Sequence, residues 1–432
     1  MRRRVVVTGL GVVTALGLEV KENWLKLLAG TSGIGSLSLP GAECSPVQAV
    51  GAVREADWRR IREEFPEEAE TQGERRTLFA LWAAKQALRD GDVLDGGGER
   101  ERFGVVVGAG LGINRLEDIH RWLGADRRFD ELRFGREYGE VHRESLVRNT
   151  SHRPAALVGE KFNLRGMNAT LTSACAAATQ AIGIGYRAIR RGDLDLAVAG
   201  GADSMINPVG LVFFVLLGAA ATSQDTPSAV CRPFDRKRSG LVMGEGAGMV
   251  VLEEESHARR RGARIYGEVA GYGSSIDAYQ VTAPHPQGRG AEQSMRAALD
   301  DGGLGSGDID YINAHGTSTK LNDAMETLAI QNVFKEHAGT VAISSSKSMI
   351  GHLLAAAGGP EFVDTVLSVY TDKIHPTINL ATRDPRCDLD YVPNRKIAKR
   401  VRAALSNSFG FGGQNGSIIV KKYQGEKPCS ST

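Results

Sequence analysis

Cysteine is scarce: five in 432 residues, at Cys44, Cys175, Cys231, Cys387 and Cys429, with no Cys-x-x-Cys pair. Spacing this wide argues against a zinc ribbon or a disulfide framework and fits a reducing compartment. Neither sign of charge dominates, because 53 Lys and Arg stand against 51 Asp and Glu, a formal net charge of +2. No nucleic-acid partner is expected from such a balance, and an acidic partner must be met by a local patch. No apolar run approaches the roughly 20 residues of a membrane-spanning helix; Val209 to Ala221 is too short. The basic start followed by Val5 to Gly17 imitates a secretion signal, but Thr8, Gly9, Gly11 and Thr14 interrupt it. That stretch reads better as a buried strand ending in a turn, so a cytoplasmic protein is expected. Nucleotide loops are missing too: no Gly-x-x-x-x-Gly-Lys-Ser/Thr occurs, and Gly9 and Gly11 lack the third glycine of a dinucleotide fingerprint.

What the chain has is glycine, 53 residues of it, among short buried-strand patterns that alternate with helical ones. Strands are expected at Arg3 to Gly9, Phe103 to Gly110, Asn168 to Thr172, Asp195 to Gly201 and Gly244 to Leu252, with a strand pair between Cys44 and Val53. Lys21 to Ala29 and the charged stretch from Asp57 to Arg89 read as helices. In the latter, arginines alternate with acids as on a solvated face, a basic docking patch being the second reading. Residues 111–150 are polar, Arg-rich and weakly patterned, like an insertion over one face. Near residues 255–265 the pattern starts over. Arg264 to Gly273 echoes Arg4 to Gly11, and strands follow at Ile309 to Ala314, Val341 to Lys347, Ala403 to Ser408 and Ser417 to Lys421, with a helix running from Ser348. The class is α/β, in two similar halves with sheets covered on both faces.

The reactive-looking residues fall at the carboxyl ends of these strands, where α/β folds place sites. Cys175 follows a strand and precedes an Ala-rich helix that ends in Arg187, Arg190 and Arg191. Free N–H groups and the dipole at such a helix start favour a thiolate and lower the thiol pKa by about one unit. His315 lies in a turn, Asn313-Ala-His-Gly-Thr-Ser-Thr319. Lys347 and His352 are five apart across a helix start, with Gly351 leaving room beside the imidazole. Phe409-Gly-Phe411-Gly-Gly413 is backbone suited to a gate whose N–H groups face a ligand. Each piece alone has an ordinary structural explanation, such as a buried cysteine, a strand-end histidine or a glycine turn.

Together, in order, they resemble the elongating β-ketoacyl-acyl-carrier-protein synthases, closest to the type II synthase of bacterial fatty-acid synthesis. Further motifs carry the likeness across nearly the whole chain: Ala199-Gly-Gly-Ala202, Arg232-Pro-Phe-Asp235, Gly244-Glu-Gly-Ala-Gly248 and Pro376-Thr-Ile-Asn-Leu380. The resemblance implies a thiolase-like five-layered αβαβα sandwich built from two pseudo-repeated halves, 1–260 and 261–432, usually a homodimer. It implies decarboxylative condensation of an acyl group on Cys175 with a malonyl group, the substrates arriving on acyl carrier protein and no cofactor being required. By the same resemblance His315 and His352 complete a Cys-His-His set, supported by Lys347. Backbone N–H groups of Cys175 and Phe411 form the oxyanion hole, Thr317 and Thr319 hold the pantetheine arm, and Leu111, Phe214 and Phe411 line the acyl pocket. Some relatives hold a monovalent cation, Na+ or K+, through positions matching Asn313, Glu361, Ser406 and Asn407. Departures lie at Ala176-Ala-Ala178, where a polar residue, Ser and Gly are usual, at Arg238-Ser-Gly-Leu241, and at Gln280 in place of a common His. These leave the chemistry intact and bear on chain length and carrier choice. A ketosynthase of a polyketide or specialised-lipid pathway is the rival reading. A catalytically silent partner subunit is disfavoured by the retained Cys175.

Overall fold

Nine consecutive buried residues, Val5–Val13, form the first strand, β1, and explain why an apolar run so close to the amino end is a structural element. The computed structural model describes residues 3–94, 99–112, 120–141, 143–148 and 150–425. Cys429 and parts of the Arg-rich insertion lie outside them. Nine further strands complete the main sheet: β2 (Phe103–Ala109), β3 (Asn168–Leu171), β4 (Leu196–Asp203), β5 (Gly246–Glu254), β6 (Gly267–Ile276), β7 (Tyr311–Asn313), β8 (Ala342–Ser344), β9 (Ala403–Gly410) and β10 (Gln414–Lys421). Their order is β8-β7-β9-β10-β6-β1-β5-β4-β2-β3.

Read outward from the centre, the two arms match. β1 is followed by β5, β4, β2 and β3, and β6 by β10, β9, β7 and β8. In each arm the first two pairings are antiparallel and the last two parallel. β1 and β6 join them by three antiparallel partners, Val5 with Val269, Val6 with Glu268 and Val7 with Gly267. The repeat expected from the echo of Arg4 to Gly11 is therefore present in the connectivity.

Helices fill three layers around these arms. α1 (Arg75–Asp90) and α2 (Arg153–Lys161) cover the outer face of the first arm. α3 (Ala177–Arg191) packs on β4 and β2 from inside and meets a long helix of the second half, which begins at Gly358 and packs on β5 and β9. α4 (Pro208–Leu216) lies apart from the sheet, near the carboxyl ends of the strands. α5 (Arg289–Gly302) covers β6 and β10, and α6 (Lys320–Phe334) sends Met325, Ile330 and Phe334 into the cluster with Ile312, Ile343 and Leu405. The sandwich is thus αβαβα. Its middle layer is thin because its residues are small: a Cβ at Gly183 of α3 would stand 2.4 Å from the Tyr272 ring of β6.

Two expected elements differ. The strand pair between Cys44 and Val53 shrinks to Ala49–Val50 paired with Gly35–Ser36, and Ala42–Cys44 is a 3-10 turn. Pro46 lacks the N–H that a longer ladder would use. The helix expected from Ser348 is broken into three pieces: α7 (Lys347–Ile350), a 3-10 turn Leu354–Ala356, and α8 (Gly358–Thr371). Gly351 (φ 75°) turns the chain out of α7, and the His352 N–H then donates to the Val242 carbonyl at 2.7 Å.

The contact of β1 with α1 offers a direct test of this packing. A Cβ at Gly11 would stand 2.0 Å from the Ala83 carbonyl oxygen, so Gly11→Ala must separate the helix from the sheet. We expect a loss of about 1–3 kcal/mol in urea unfolding, the usual cost of overpacking. An unchanged midpoint and slope would contradict the packing described.

Candidate active site

Three chain turns, each at the carboxyl end of a strand, bring the reactive groups together. After β3 the chain makes the 3-10 turn Ala174–Ala176 before α3, with Ala174 left-handed (φ 47°). The corresponding turn before α8 places Leu354 at φ 51°. Non-glycine residues held there cost of order 1–3 kcal/mol each and persist where surrounding structure over-determines them. The third turn follows β7 and carries His315.

One ligand-type atom from each of Cys175, His315 and His352 lies within 4.8 Å of the others, and all three residues are buried. The imidazole centroids are 5.2 Å apart with planes at 85°. A cavity of about 310 Å³ opens onto them, lined also by Thr317, Thr319, Asn322, Phe409 and Phe411. Thr317 and Thr319 share a hydroxyl hydrogen bond of 2.9 Å. The Phe411 backbone N–H lies close enough to the Cys175 sulfur to favour its thiolate. Phe411 packs against Phe214 of α4 at 6.3 Å between ring centroids.

Hydrogen bonds set the histidine tautomers. The Leu354 N–H donates to His352 Nδ1 at 3.1 Å, so Nδ1 is an acceptor and the ring proton sits on Nε2. Lys347 Nζ lies 3.4 Å from His315 Nδ1; an ammonium only donates, which leaves the His315 proton on Nε2 as well. Burial, reinforced by the Lys347 charge, holds both imidazoles well below the ordinary histidine range. Both are neutral N–H donors. Lys347 itself is fully buried and paired with Glu361.

Carboxylates that sequence reasoning missed hold these turns. Glu326 of α6 accepts the N–H groups of His315 and Gly316, each at 2.8 Å. Asp323, one turn earlier, accepts from Thr317 at 3.0 Å and from Phe234 at 2.8 Å. Asp203, at the end of β4, accepts from Ala355 at 2.9 Å and so fixes the turn beside His352. Burial pushes Glu326 up to about 7 and Asp203 up to about 6. The only local signal was an acidic pair three apart in the first turns of the helix after His315.

Two expectations need correction. Leu111 does not line the cavity in the single chain: it follows β2 and is 66% exposed. The thiolate at Cys175 is not favoured either. Lys347 and the Phe411 N–H pull the thiol pKa down, but burial outweighs them and pushes it up to about 12. A helix terminus worth about one unit does not reverse that.

At the cation positions, Asn313 Oδ1, Glu361 Oε2 and Ser406 Oγ are buried without a hydrogen-bond partner among the described residues. Orphaned buried oxygens are rare and ask for water or an ion. Asn407 departs from the expected set, because its side chain is engaged by Ser417 at 2.8 Å and Met295 at 3.4 Å.

The thiol geometry makes a prediction. Iodoacetamide alkylates the thiolate, so its rate at Cys175 should still be rising with pH above about 8.5, the free-thiol value. A rate profile with its midpoint below that of an unfolded control peptide would overturn the assignment of a neutral thiol.

The arrangement of nucleophile and donors has counterparts. Residues 2–258 match the model of the beta-ketoacyl synthase N-terminal domain and residues 266–381 that of the C-terminal domain. The chain is 39% identical over 424 residues to 3-oxoacyl-[acyl-carrier-protein] synthase 2 of Synechocystis sp., covering 98% of this chain and 99% of that one. It is 37% identical to the protein of the same name in Coxiella burnetii, with the same shares covered. Among solved structures, a type II polyketide ketosynthase in complex with its acyl-carrier protein superposes with a TM-score of 0.88 at 32% identity, covering 98% of this chain and 100% of that one. A beta-ketoacyl synthase from Burkholderia phymatum gives 0.83 at 34%, with the same coverage. Matches of this length, over a site built from both halves, place the chain in the beta-ketoacyl synthase family.

Proposed function

We propose that the chain catalyses decarboxylative Claisen condensation, joining an acyl group held on Cys175 to malonyl-acyl carrier protein to give 3-oxoacyl-acyl carrier protein and CO2 in fatty-acid elongation. The observation that carries the reading is the convergence of one nucleophile with two neutral Nε2–H donors at the floor of a cavity. In the first half-reaction the Cys175 sulfur attacks the acyl thioester carbon. The bond to the carrier sulfur breaks, and the thiol proton ends on that leaving sulfur. The exchange is proton-neutral overall, but the thiolate is the nucleophile, so the sulfur must shed its proton as the bond forms. The Lys347 charge and the Phe411 N–H, which favour the thiolate against burial, are the activating groups in this reading, with no imidazole base.

In the second half-reaction the malonyl carbon–carboxylate bond breaks and releases CO2. The charge left on the enolate oxygen is met by the Nε2–H groups of His315 and His352. The enolate carbon attacks the acyl-Cys carbonyl, whose oxygen takes the N–H groups of Cys175 and Phe411. The Cys175–acyl bond then breaks, and the sulfur takes a proton from water. Thr317 and Thr319 would hold the pantetheine arm. Atoms and charge balance without a redox group.

The orphaned oxygens of Asn313, Glu361 and Ser406 support a bound Na+ or K+. It would offset the carboxylate charge next to Lys347. A homodimer is the oligomer we favour, since β3 is an edge strand and exposed edges invite pairing. Leu111, just after the neighbouring strand, would then face the second copy. The halves 1–260 and 261–432 are read as the two structural units. Cytoplasmic residence rests on the widely spaced cysteines, free where described. A ketosynthase of polyketide or specialised-lipid synthesis remains the second reading, favoured by the apolar character of α4 next to the gate.

Two measurements test these assignments. His315→Ala and His352→Ala should still form the acyl-enzyme by intact mass yet lose 3-oxoacyl product by at least about a hundredfold, the scale of a lost oxyanion donor. A variant that stays folded but fails to acylate, as Cys175→Ala would, identifies that histidine as a base instead. For the cation, replacing K+ and Na+ by tetramethylammonium at equal ionic strength should lower the melting temperature, since a ligand bound only to the native state stabilises it. No shift would remove the ion from the account.

A further inference from the structure

Arg238 is fully buried, and its guanidinium crosses from the first half of the chain to the second. Nε donates to the Thr319 carbonyl at 3.0 Å and Nη2 to that of Lys320 at 3.2 Å. Nη1 donates to Asp384 at 2.6 Å and to the Asp235 carbonyl of its own segment at 2.9 Å. Asp323 stands 3.5 Å from Nε as a second carboxylate. Two neighbours of Arg238 grip the same turn of the second half. The Gly240 N–H donates to the Ser318 carbonyl at 3.1 Å, and the Arg232 N–H to Ser318 Oγ at 3.0 Å. Ser318 (φ 68°) and Phe234 (φ 65°) are both left-handed, a conformation that persists where the surroundings over-determine it.

Stability does not account for this arrangement. A cation beside the first turn of α6 opposes the dipole of that helix, and buried ion pairs seldom outperform apolar packing. What the arginine does control is the backbone from Thr317 to Lys320. It holds two carbonyls there directly, and it faces Asp323, which accepts the Thr317 N–H. Thr317 and Thr319 line the cavity and share their hydroxyl hydrogen bond. His315 and Gly316, earlier in the turn, are held by Glu326 instead. One turn thus has two supports, Glu326 at its histidine end and Arg238 at its threonine end. We propose that Arg238 is a positioning residue that sets the Thr317 and Thr319 hydroxyls for the pantetheine arm of the substrate, independently of the enolate donors. The proposal rests on the condensing function above and adds what fixes the arm.

Arg238→Lys keeps the charge and loses the fork, because donors on a single nitrogen cannot span carbonyls and a carboxylate on separate sides. Two thioesters of one acyl group separate positioning from folding: one on pantetheine, the other on ethanethiol, which has no arm. Acylation of Cys175 is followed by intact mass. Arg238→Lys should lower kcat/KM for the pantetheine thioester by at least about fivefold, the worth of one net hydrogen bond, and leave the ethyl thioester within about twofold. Thr317→Val should show the same selective loss, and the double variant no more than either single one, since coupled sites are not additive. Product formation at saturating malonyl carrier should fall by less than about threefold, as Glu326 still holds His315. Asp384→Asn loosens the same fork from its far side and should show a smaller selective loss; it decides the case if circular dichroism melting finds Arg238→Lys unfolded. Equal losses on both thioesters, which a merely structural role would give, would overturn the proposal. So would additive losses in the double variant, a fall in kcat with KM for malonyl carrier unchanged, or a wild-type protein that takes both thioesters equally well. A wild-type protein that acylates Cys175 yet makes no 3-oxoacyl product would instead defeat the condensing function, and the comparison of thioesters would still be read on acylation alone.

Discussion

Burial of Cys175, His315 and His352 is the constraint on which the site depends. The same burial acts in opposite senses on its members, raising the thiol and lowering both imidazoles, so each is held in its neutral form. Thioester exchange releases no net proton, so the Cys175 proton passes to the leaving sulfur as the thiolate attacks. Neutral imidazoles suit an enolate, which needs N–H donors in a medium too dry to screen its charge. The charge of Lys347 at the back of the pocket adds to the neutrality of His315 and is itself balanced by Glu361. A wetter pocket would loosen all four assignments together.

Much of this was readable in the residues, and the reasons differ from place to place. Cys175, His315, Lys347 and His352 stand in short turns between a strand and a helix, and such turns leave local marks: small residues, a glycine, a change of hydrophobic period. The strands from Val5, Phe103 and Ala403 were legible from short apolar stretches, Val5–Val7, Val105–Val107 and Ala403–Leu405, because both of their faces are covered. What was not legible depends on groups distant in the chain. Asp203 serves Ala355 across 152 positions, and nothing in its own neighbourhood points there. The state of the Cys175 thiol was misjudged because a helix terminus is a local feature, whereas the depth of a pocket belongs to the whole fold. The break in the helix at Gly351 escaped notice because the carbonyl that captures the His352 N–H belongs to Val242, more than a hundred residues earlier.

The internal repeat explains how one site draws on both halves. Each arm presents a strand, a 3-10 turn with a left-handed residue and then a helix of the middle layer. The first arm uses that turn for the nucleophile and the second uses it beside a donor. The helices α3 and α8 are pressed together, with a Cβ at Gly358 placed 2.1 Å from Thr179 Oγ1. The two turns are thereby fixed relative to one another at the scale a reaction between them requires.

The central position of β1 has a consequence for how the molecule is made. Its first residues pair with Glu254 on one side and Val269 on the other, so during synthesis this strand waits for partners about 250 residues behind it. At ordinary synthesis rates of about 5–20 residues per second that delay is some ~10–50 s. Throughout it, an apolar strand has both hydrogen-bonding edges bare, which is the condition under which chains mispair or need a chaperone. The seam that unites the halves thus closes only after the whole first half has been made, and β7 to β10 complete the second arm later still.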